Sequence, residues 1–194
     1  MHLVCVTGPP AVGKMTVGRA VCELTGFRLF HNHMSIEPLL GVYDFGTPSF
    51  ARINEMIRRE VIAESVVADL PGLVFTFAID LDHPGDLAQL HELVEPVERA
   101  GAPVDVVELY APQHVRLARE GGADRMDHKR SKRDVSWARS HVVDLESRAR
   151  FSTDPARDGE QLLAGHRHLR LDNAHGDARA TAERVVTELG LPRV

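Results

Sequence analysis

The sequence predicts an α/β fold, a doubly wound parallel sheet, and three observations carry that expectation. Short apolar runs alternate with helical segments along the whole chain, and five of them read as strands. One of these, "GLVFTFAID", is apolar almost without interruption, as a strand covered on both faces should be, and "APVDVVELYAP" is a second buried-strand candidate. A glycine-rich turn, "GPPAVGK", separates the first strand from the first helix; in such sheets ligands bind at the carboxyl ends of the strands.

The elements follow in order. "HLVCV" is a short apolar run ending in the glycine-rich turn, which gives a first strand. Lys14 to Thr25 carries Val17, Ala20, Val21 and Leu24 at the spacing of one helical face, and Gly26 supplies a C-cap. "FRLFH" reads as a second strand running into "HNH", and a brief helix is expected from Ser35 to Leu40. The best specified helix comes next. Thr47 is its N-cap, Pro48 takes the first helical position, and Phe50, Ile53, Ile57, Val61 and Ile62 line its apolar side before Pro71-Gly72 ends it.

"GLVFTFAID" is expected to be a central strand reaching Asp80. A helix from about Gly85 to Ala100 leads into "APVDVVELYAP", and Pro112 opens a helix over "PQHVRLARE". A basic stretch is followed by a polar helix, Asp134 to about Arg150, and by a loop over "STDPARDGEQLLAGHR". "HLRLDN" is the last strand, and Asp177 to Leu189 forms the closing amphipathic helix.

A chain of 194 residues with 43% apolar and 26% charged residues is expected to fold as one domain, 1–194, around one core. No apolar run is long enough to span a bilayer, and "MHLVCVTG" lacks the form of a signal peptide, so a cytoplasmic protein without membrane partners is expected. Cys5 and Cys22 lie on apolar faces and read as buried, reduced thiols. The net charge of −5 argues against a nucleic-acid partner. Nothing in the letters specifies an oligomer.

The turn matches G-x-x-x-x-G-K-[ST] from Gly8 to Lys14, but Met15 stands where the pattern has a hydroxyl. Glycines let the backbone curl with its amides inward, and the helix beginning near Lys14 adds its positive end, a cradle for phosphate oxygens. Lys14 would reach the β- and γ-phosphates of a nucleotide. The longer phrase "GPPAVGKMT" resembles the loop of the adenylate-kinase branch of P-loop kinases, which reads G-P-P-G-x-G-K-G-T. Met15 fills a glycine position there, and Ala11 replaces a loop glycine.

That resemblance implies a P-loop NTPase fold, a five-stranded parallel sheet of order 2-3-1-4-5 flanked by helices, and ATP with magnesium as cofactors. It implies that Gly8, Pro9, Ala11, Val12, Gly13, Lys14, Met15 and Thr16 hold the nucleotide, Thr16 touching a phosphate nearer the adenosine. In that branch magnesium is held mainly by phosphates and water, so Met15 is no sign of inactivity. The whole chain is similar in size and element order to shikimate-kinase and gluconate-kinase relatives. It also resembles a bacterial group of P-loop ATPases and kinases sharing "HNHM", "EPLLG" and "SKRD". No AMP-binding sequence is present.

The other parts of a phosphotransferase have candidates. Asp80 ends the strand where a carboxylate could hold magnesium through water, with Asp82 a lesser candidate at the substrate; either could instead cap the next helix. "RMDHKRSKR", residues 125 to 133, packs five cations around one carboxylate where these kinases carry a lid, here about 119–150. Arg125, Lys129, Arg130 and Arg133 are candidate phosphate clamps, Arg125 and Arg130 the catalytic choices, and Arg119 is a candidate to flank the phosphates. His31, Asn32 and His33 follow the second strand, where related kinases bind the acceptor. A neutral histidine there could take a hydroxyl proton, and Glu37 is a further candidate for the same pocket. Asp172 and Asn173 would help wall the adenine.

Zinc at His31/His33 and His166/His168 is disfavoured, because the implied strand order puts the two pairs at opposite edges of the sheet. The reading is an ATP-dependent phosphotransferase acting on a hydroxyl of a small molecule. A nucleoside or nucleotide kinase and a regulatory ATP-binding protein are the alternatives. A 5′-hydroxyl nucleic-acid kinase finds little stacking surface in one Trp and two Tyr.

Overall fold

The computed structural model of the chain describes residues 1–119, 135–158, 161–175 and 177–194. Arg125, Lys129, Arg130 and Arg133, and with them most of the expected lid, lie outside the described residues. Five parallel strands, β1 Leu3–Thr7, β2 Arg28–His31, β3 Leu73–Thr76, β4 Val104–Tyr110 and β5 Arg167–Asp172, form one sheet in the order β2-β3-β1-β4-β5. The helices are α1 Lys14–Thr25, α2 His33–Leu39, α3 Pro48–Val67, α4 Pro84–Arg99, α5 Gln113–Arg119, α6 Val135–Arg148, α7 Pro155–Asp158 and α8 Ala178–Leu189.

Strand alternation sorts the core into two layers. Val4, Val6, Val107 and Leu109 point to one face of the sheet, where α1 packs on α8 through Val17, Val21, Val185 and Val186. Leu3, Cys5, Phe75 and Val106 point to the other, where α3 packs on α4 through Ile62, Leu90, Leu93 and Val94. Burial pushes the Cys5 thiol up to about 12, with the nearby Asp105 charge adding to it, so it stays protonated and packs as a small apolar group. Among the described residues no helix is long and apolar enough to cross a membrane.

Helix ends follow the local chemistry. Thr47 Oγ1 accepts the amide of Phe50, Asp177 accepts that of Ala180, and Gly26 closes α1 at φ 73 with its amide on the Cys22 carbonyl. Three expectations shift. β3 ends at Thr76 rather than at Asp80, because β2 ends level with it at His31 and β1 runs only one residue further, pairing Thr7 with Glu108 of β4. The β1–β3 register ends at Val6 and Thr76, the Phe77 amide making the last bond to the Val6 carbonyl, and the Asn32 amide takes the Thr76 carbonyl as β2 becomes α2. The remaining apolar letters, Phe77, Ile79 and Leu81, are buried against the α3/α4 layer instead. α2 begins at His33, two residues early, since the Asn32 carbonyl accepts the Ile36 amide. The loop before β5 contains α7, nucleated where Asp154 receives the amides of Ala156, Arg157 and Asp158.

Two carboxylates lie inside β4. Asp105 and Glu108 are both almost fully buried. Asp105 is held by His2 at 2.7 Å and by a two-point contact from Arg167 at 2.9 and 3.0 Å. Glu108 accepts the amide of Thr153 at 2.9 Å and its hydroxyl at 2.5 Å, and His168 Nε2 lies 3.0 Å away without hydrogen-bond geometry. Burial raises both carboxyl groups, but these partners outweigh it and hold each below the usual carboxylate range.

Candidate active site

β1 delivers Gly8 to the carboxyl edge of the sheet at φ 131, where a Cβ would stand 2.2 Å from the Leu109 carbonyl oxygen of β4. Only glycine fits so close to that backbone. The turn continues through Ala11 at φ 62, the left-handed region that the replaced glycine would occupy without strain, and closes at Gly13, φ 104. Gly13 caps α1 without any side-chain acceptor, so the first amides of α1 face the loop. Lys14 Nζ donates to the carbonyls of Gly8 at 2.6 Å and Pro9 at 2.9 Å, folded over the turn it belongs to. Met15 is half-buried and Thr16 exposed in the first turn of α1. Curled backbone, an uncapped helix start and one ammonium group fit a polyphosphate chain.

The wall behind the loop is built by contacts that only the fold makes visible. Asn173 is buried, and its amide group donates to the Val12 carbonyl at 2.7 Å and accepts from Thr181 Oγ1 at 2.7 Å. Its side chain therefore ties the loop after β5 to the phosphate turn. Asp172 is exposed and caps its own turn through the Ala174 amide. Arg119 donates to the carbonyls of Asn173 at 2.8 Å, Ala174 at 3.0 Å and Val12 at 3.5 Å. Arg116, one helical turn earlier, donates to the Ala111 and Pro10 carbonyls and pairs with Glu146 of α6. Sequence reasoning singled out Arg119 but not Arg116; the signal was their i, i+3 spacing in "VRLAR", which puts both on one side of a helix.

The candidate carboxylates sit in a second network. Asp80 lies four residues past the end of β3, and its Oδ1 accepts the amides of Asp82 at 3.0 Å and Arg150 at 3.1 Å. Its Oδ2 has no hydrogen bond among the described residues. Asp82 is ion-paired with Arg150 at 3.1 Å and Arg157 at 2.7 Å. Arg150 also holds Asp158 in two contacts of 2.6 and 2.7 Å, which pulls the Asp158 carboxyl down to about 2. These contacts bind the β3–α4 loop to the chain that follows α6. No three His, Cys, Asp or Glu side chains among the described residues gather as metal ligands.

On the other side of β3 stand the "HNH" residues. His31 ends β2 and pairs in register with Thr76. The rings of His31 and His33 lie 6.4 Å apart at 51°, and His33 Nδ1 is 3.3 Å from Glu37 Oε1 on the next turn of α2. Ser35, fully buried, donates to the Asn32 carbonyl and accepts from Arg58 Nε of α3. No local pattern in the sequence points to Arg58 or Ser35, which meet across 23 residues of chain. β2 is two strands from β1, so the histidine turn and the phosphate turn share one sheet edge about 10 Å apart at ~4.8 Å per strand.

This sheet order, with a phosphate turn between β1 and α1, is the fold of P-loop small-molecule kinases. Among solved structures the chain is similar to an unliganded sugar kinase from Janibacter sp. HTCC2649, at TM-score 0.63 and 17% identity over 98% of this chain and 95% of that one. It is similar to a shikimate kinase from Bacteroides thetaiotaomicron, at TM-score 0.61 and 15% identity, covering 98% and 99%. It also matches the tunicamycin resistance protein of Deinococcus radiodurans, at TM-score 0.58 and 17% identity, covering 100% and 99%. No protein-family model and no curated protein sequence matches the chain.

Proposed function

We propose that the chain is an ATP-dependent phosphotransferase that moves the γ-phosphoryl group to a hydroxyl of a small molecule in the cytoplasm. The observation that carries this reading is the phosphate turn, Gly8 to Thr16, with Lys14 folded over it at the carboxyl edge of the sheet. Likeness to several kinases of matching length supports it.

The residues divide the work. Gly8, Pro9, Ala11, Val12, Gly13, Met15 and Thr16 shape the cradle, and Lys14 exchanges the Gly8 and Pro9 carbonyls for phosphate oxygens. Arg119 and Asn173 hold the turn against the β5–α8 loop, with Asp172 at its rim. ATP with magnesium, when bound, supplies the γ-phosphoryl group and neutralises part of its charge. Asp80 would hold the ion through water by its open Oδ2. His31, with Asn32, His33 and Glu37, positions the acceptor, and Asp82 lies at the edge of that space. The acceptor oxygen forms the new bond to phosphorus as the bond to the bridging oxygen of ADP breaks; the hydroxyl proton passes to the neutral imidazole of His31. Arg125 and Arg130 are the proposed clamps from the basic stretch.

The test is transfer of labelled γ-phosphate from ATP into separate pools of sugars, hydroxy acids, aminocyclitols, nucleosides and nucleotides. A labelled product in a non-nucleoside pool is expected. Label only in nucleosides or nucleotides would move the reading to that kinase class, and nucleotide binding without any labelled product would favour a regulatory role.

A further inference from the structure

Arg150 stands two residues past α6 and holds the loop that carries Asp80 with both its backbone and its side chain. Its amide donates to Asp80 Oδ1 at 3.1 Å, and its carbonyl accepts the Leu81 amide at 2.8 Å. Its Nε donates to Asp82 Oδ1 at 3.1 Å. Nη1 and Nη2 hold the two oxygens of Asp158 at 2.6 and 2.7 Å, and Nη1 also donates to the Ser152 carbonyl at 3.1 Å. Asp80, Leu81 and Asp82 are thus all tied to one residue, 70 positions along the chain from Asp80.

The clamp has its own foundation. Thr153 is fixed on the buried Glu108 of β4 at 2.9 and 2.5 Å and receives Arg170 Nε of β5 at 2.7 Å, so the segment that carries Arg150 is fastened to the sheet. Asp80 is not part of the sheet, since β3 ends at Thr76. Within its loop the Asp80 amide donates to Asp86 Oδ2 at 2.9 Å and its carbonyl accepts the His83 amide at 3.1 Å, which fixes the backbone. The carboxylate is fixed by the amides of Asp82 and Arg150.

The same contacts sort the charges. Arg150 and Arg157 both pair with Asp82, and Arg150 pairs with Asp158, whose carboxyl its hydrogen bonds draw down to about 2. Two arginines balance two aspartates. Among the described residues Asp80 has no ion pair, and its Oδ2 has no hydrogen bond. One oxygen pinned by two amides and the other open is how a surrounding shell orients a carboxylate toward a metal.

We propose that Arg150 is a positioning residue for the divalent ion of the nucleotide: it fixes the Asp80 carboxylate with one oxygen free for the ion's water shell and, with Arg157, keeps Asp82 and Asp158 from competing for it. This rests on the phosphotransferase reading, in which Asp80 meets the ion. The expected sign is opposite to that of charge alone. Removing a cation near Asp80 strengthens the attraction of a divalent ion by Coulomb's law, whereas releasing the clamp weakens its binding.

The experiment titrates Mn2+ into the full chain saturated with ADP and reads the free ion by electron paramagnetic resonance. Arg150→Met should bind Mn2+ about tenfold more weakly than the native chain, while ADP affinity without metal stays unchanged. Arg150→Lys, which keeps the charge and loses the fork to Asp158, should fall between the two. Asp158→Asn, a milder change that carries the test if Arg150→Met does not fold, should also weaken Mn2+ binding. It should add nothing in the double variant, because it acts through Arg150. Mn2+ binding in Arg150→Met as tight as native or tighter, native binding in Asp158→Asn, or additive effects of the two substitutions overturns the proposal. Asp80→Asn separates the clamp from the reading beneath it. Weak Mn2+ binding in Asp80→Asn beside native binding in Arg150→Met overturns the clamp alone, whereas native binding in Asp80→Asn removes the Asp80 assignment and the clamp with it.

Discussion

Ala11 shows how much a single residue can say about this loop. Its φ of 62 lies in the left-handed region that glycine adopts freely, so the alanine methyl holds the turn in a strained state. Ala11→Gly should raise unfolding stability by about 0.5–1 kcal/mol, measured by denaturant titration, since relief of strain outweighs the freer unfolded chain. Met15 makes the opposite point. It is half-buried, and Met15→Ser should change transfer rate by less than about tenfold, ~1.4 kcal/mol. A far larger gain would mean that the native loop lacks a needed metal ligand.

At this scale the phosphate turn was legible, because a fixed spacing of Gly8, Gly13 and Lys14 encodes backbone geometry locally. Arg58 and Arg116 were not. Arg116 reaches the Pro10 carbonyl across 106 residues of chain, and Arg58 reaches Ser35 across 23, distances at which no local pattern acts. Asn173 reads from sequence as part of an adenine wall, and the structure gives its side chain a tie to Val12 that the letters "LDNAHGD" do not show.

Among the elements, β4 carries the sharpest energetic consequence. Its alternation reads as a buried strand, yet Glu108 is placed within it and grips Thr153, which anchors the chain between α6 and β5. Glu108→Gln should lower stability by about 2 kcal/mol at neutral pH, the usual loss for hydrogen bonds to a charged group. The acid limb follows from the direction of the shifts. Glu108 and Asp105 have folded pKa values held below their unfolded ones, so their contribution is complete above the ordinary carboxylate range, near 4.5 for Glu108, and is lost as pH falls through the lower folded values. Stability measured from pH 7 to 3 should therefore drop below about pH 4.5, and Glu108→Gln should flatten part of that fall. A variant with the native acid slope would place the titration elsewhere.

Element types and order were readable because strand and helix periods differ and because caps such as Thr47, Asp177 and Gly26 mark their ends. The end of β3 was not readable. It depends on how far two neighbouring strands, distant in the chain, run beside it, and the apolar letters from Phe77 to Leu81 serve packing just as well as pairing.

The whole molecule sets two turns on one edge of a sheet, the phosphate turn after β1 and the histidine turn after β2, with β3 between them. Arg116 and Arg119 fasten the first to α6 and to the β5–α8 loop; Ser35 and Arg58 fasten the second to α3. Because ATP would bind only the folded arrangement of these turns, it should stabilise the chain against unfolding by about 2.7 kcal/mol at a hundredfold excess over its Kd. The most direct measurement is transfer of labelled γ-phosphate from ATP to a hydroxyl acceptor by the native chain and by Lys14→Ala, with folding of both checked by circular dichroism. The account predicts a labelled product from the native chain and a rate lower by about 100-fold or more in the variant, as when a key charge-stabilising donor is removed. Equal rates from the two folded proteins would contradict it.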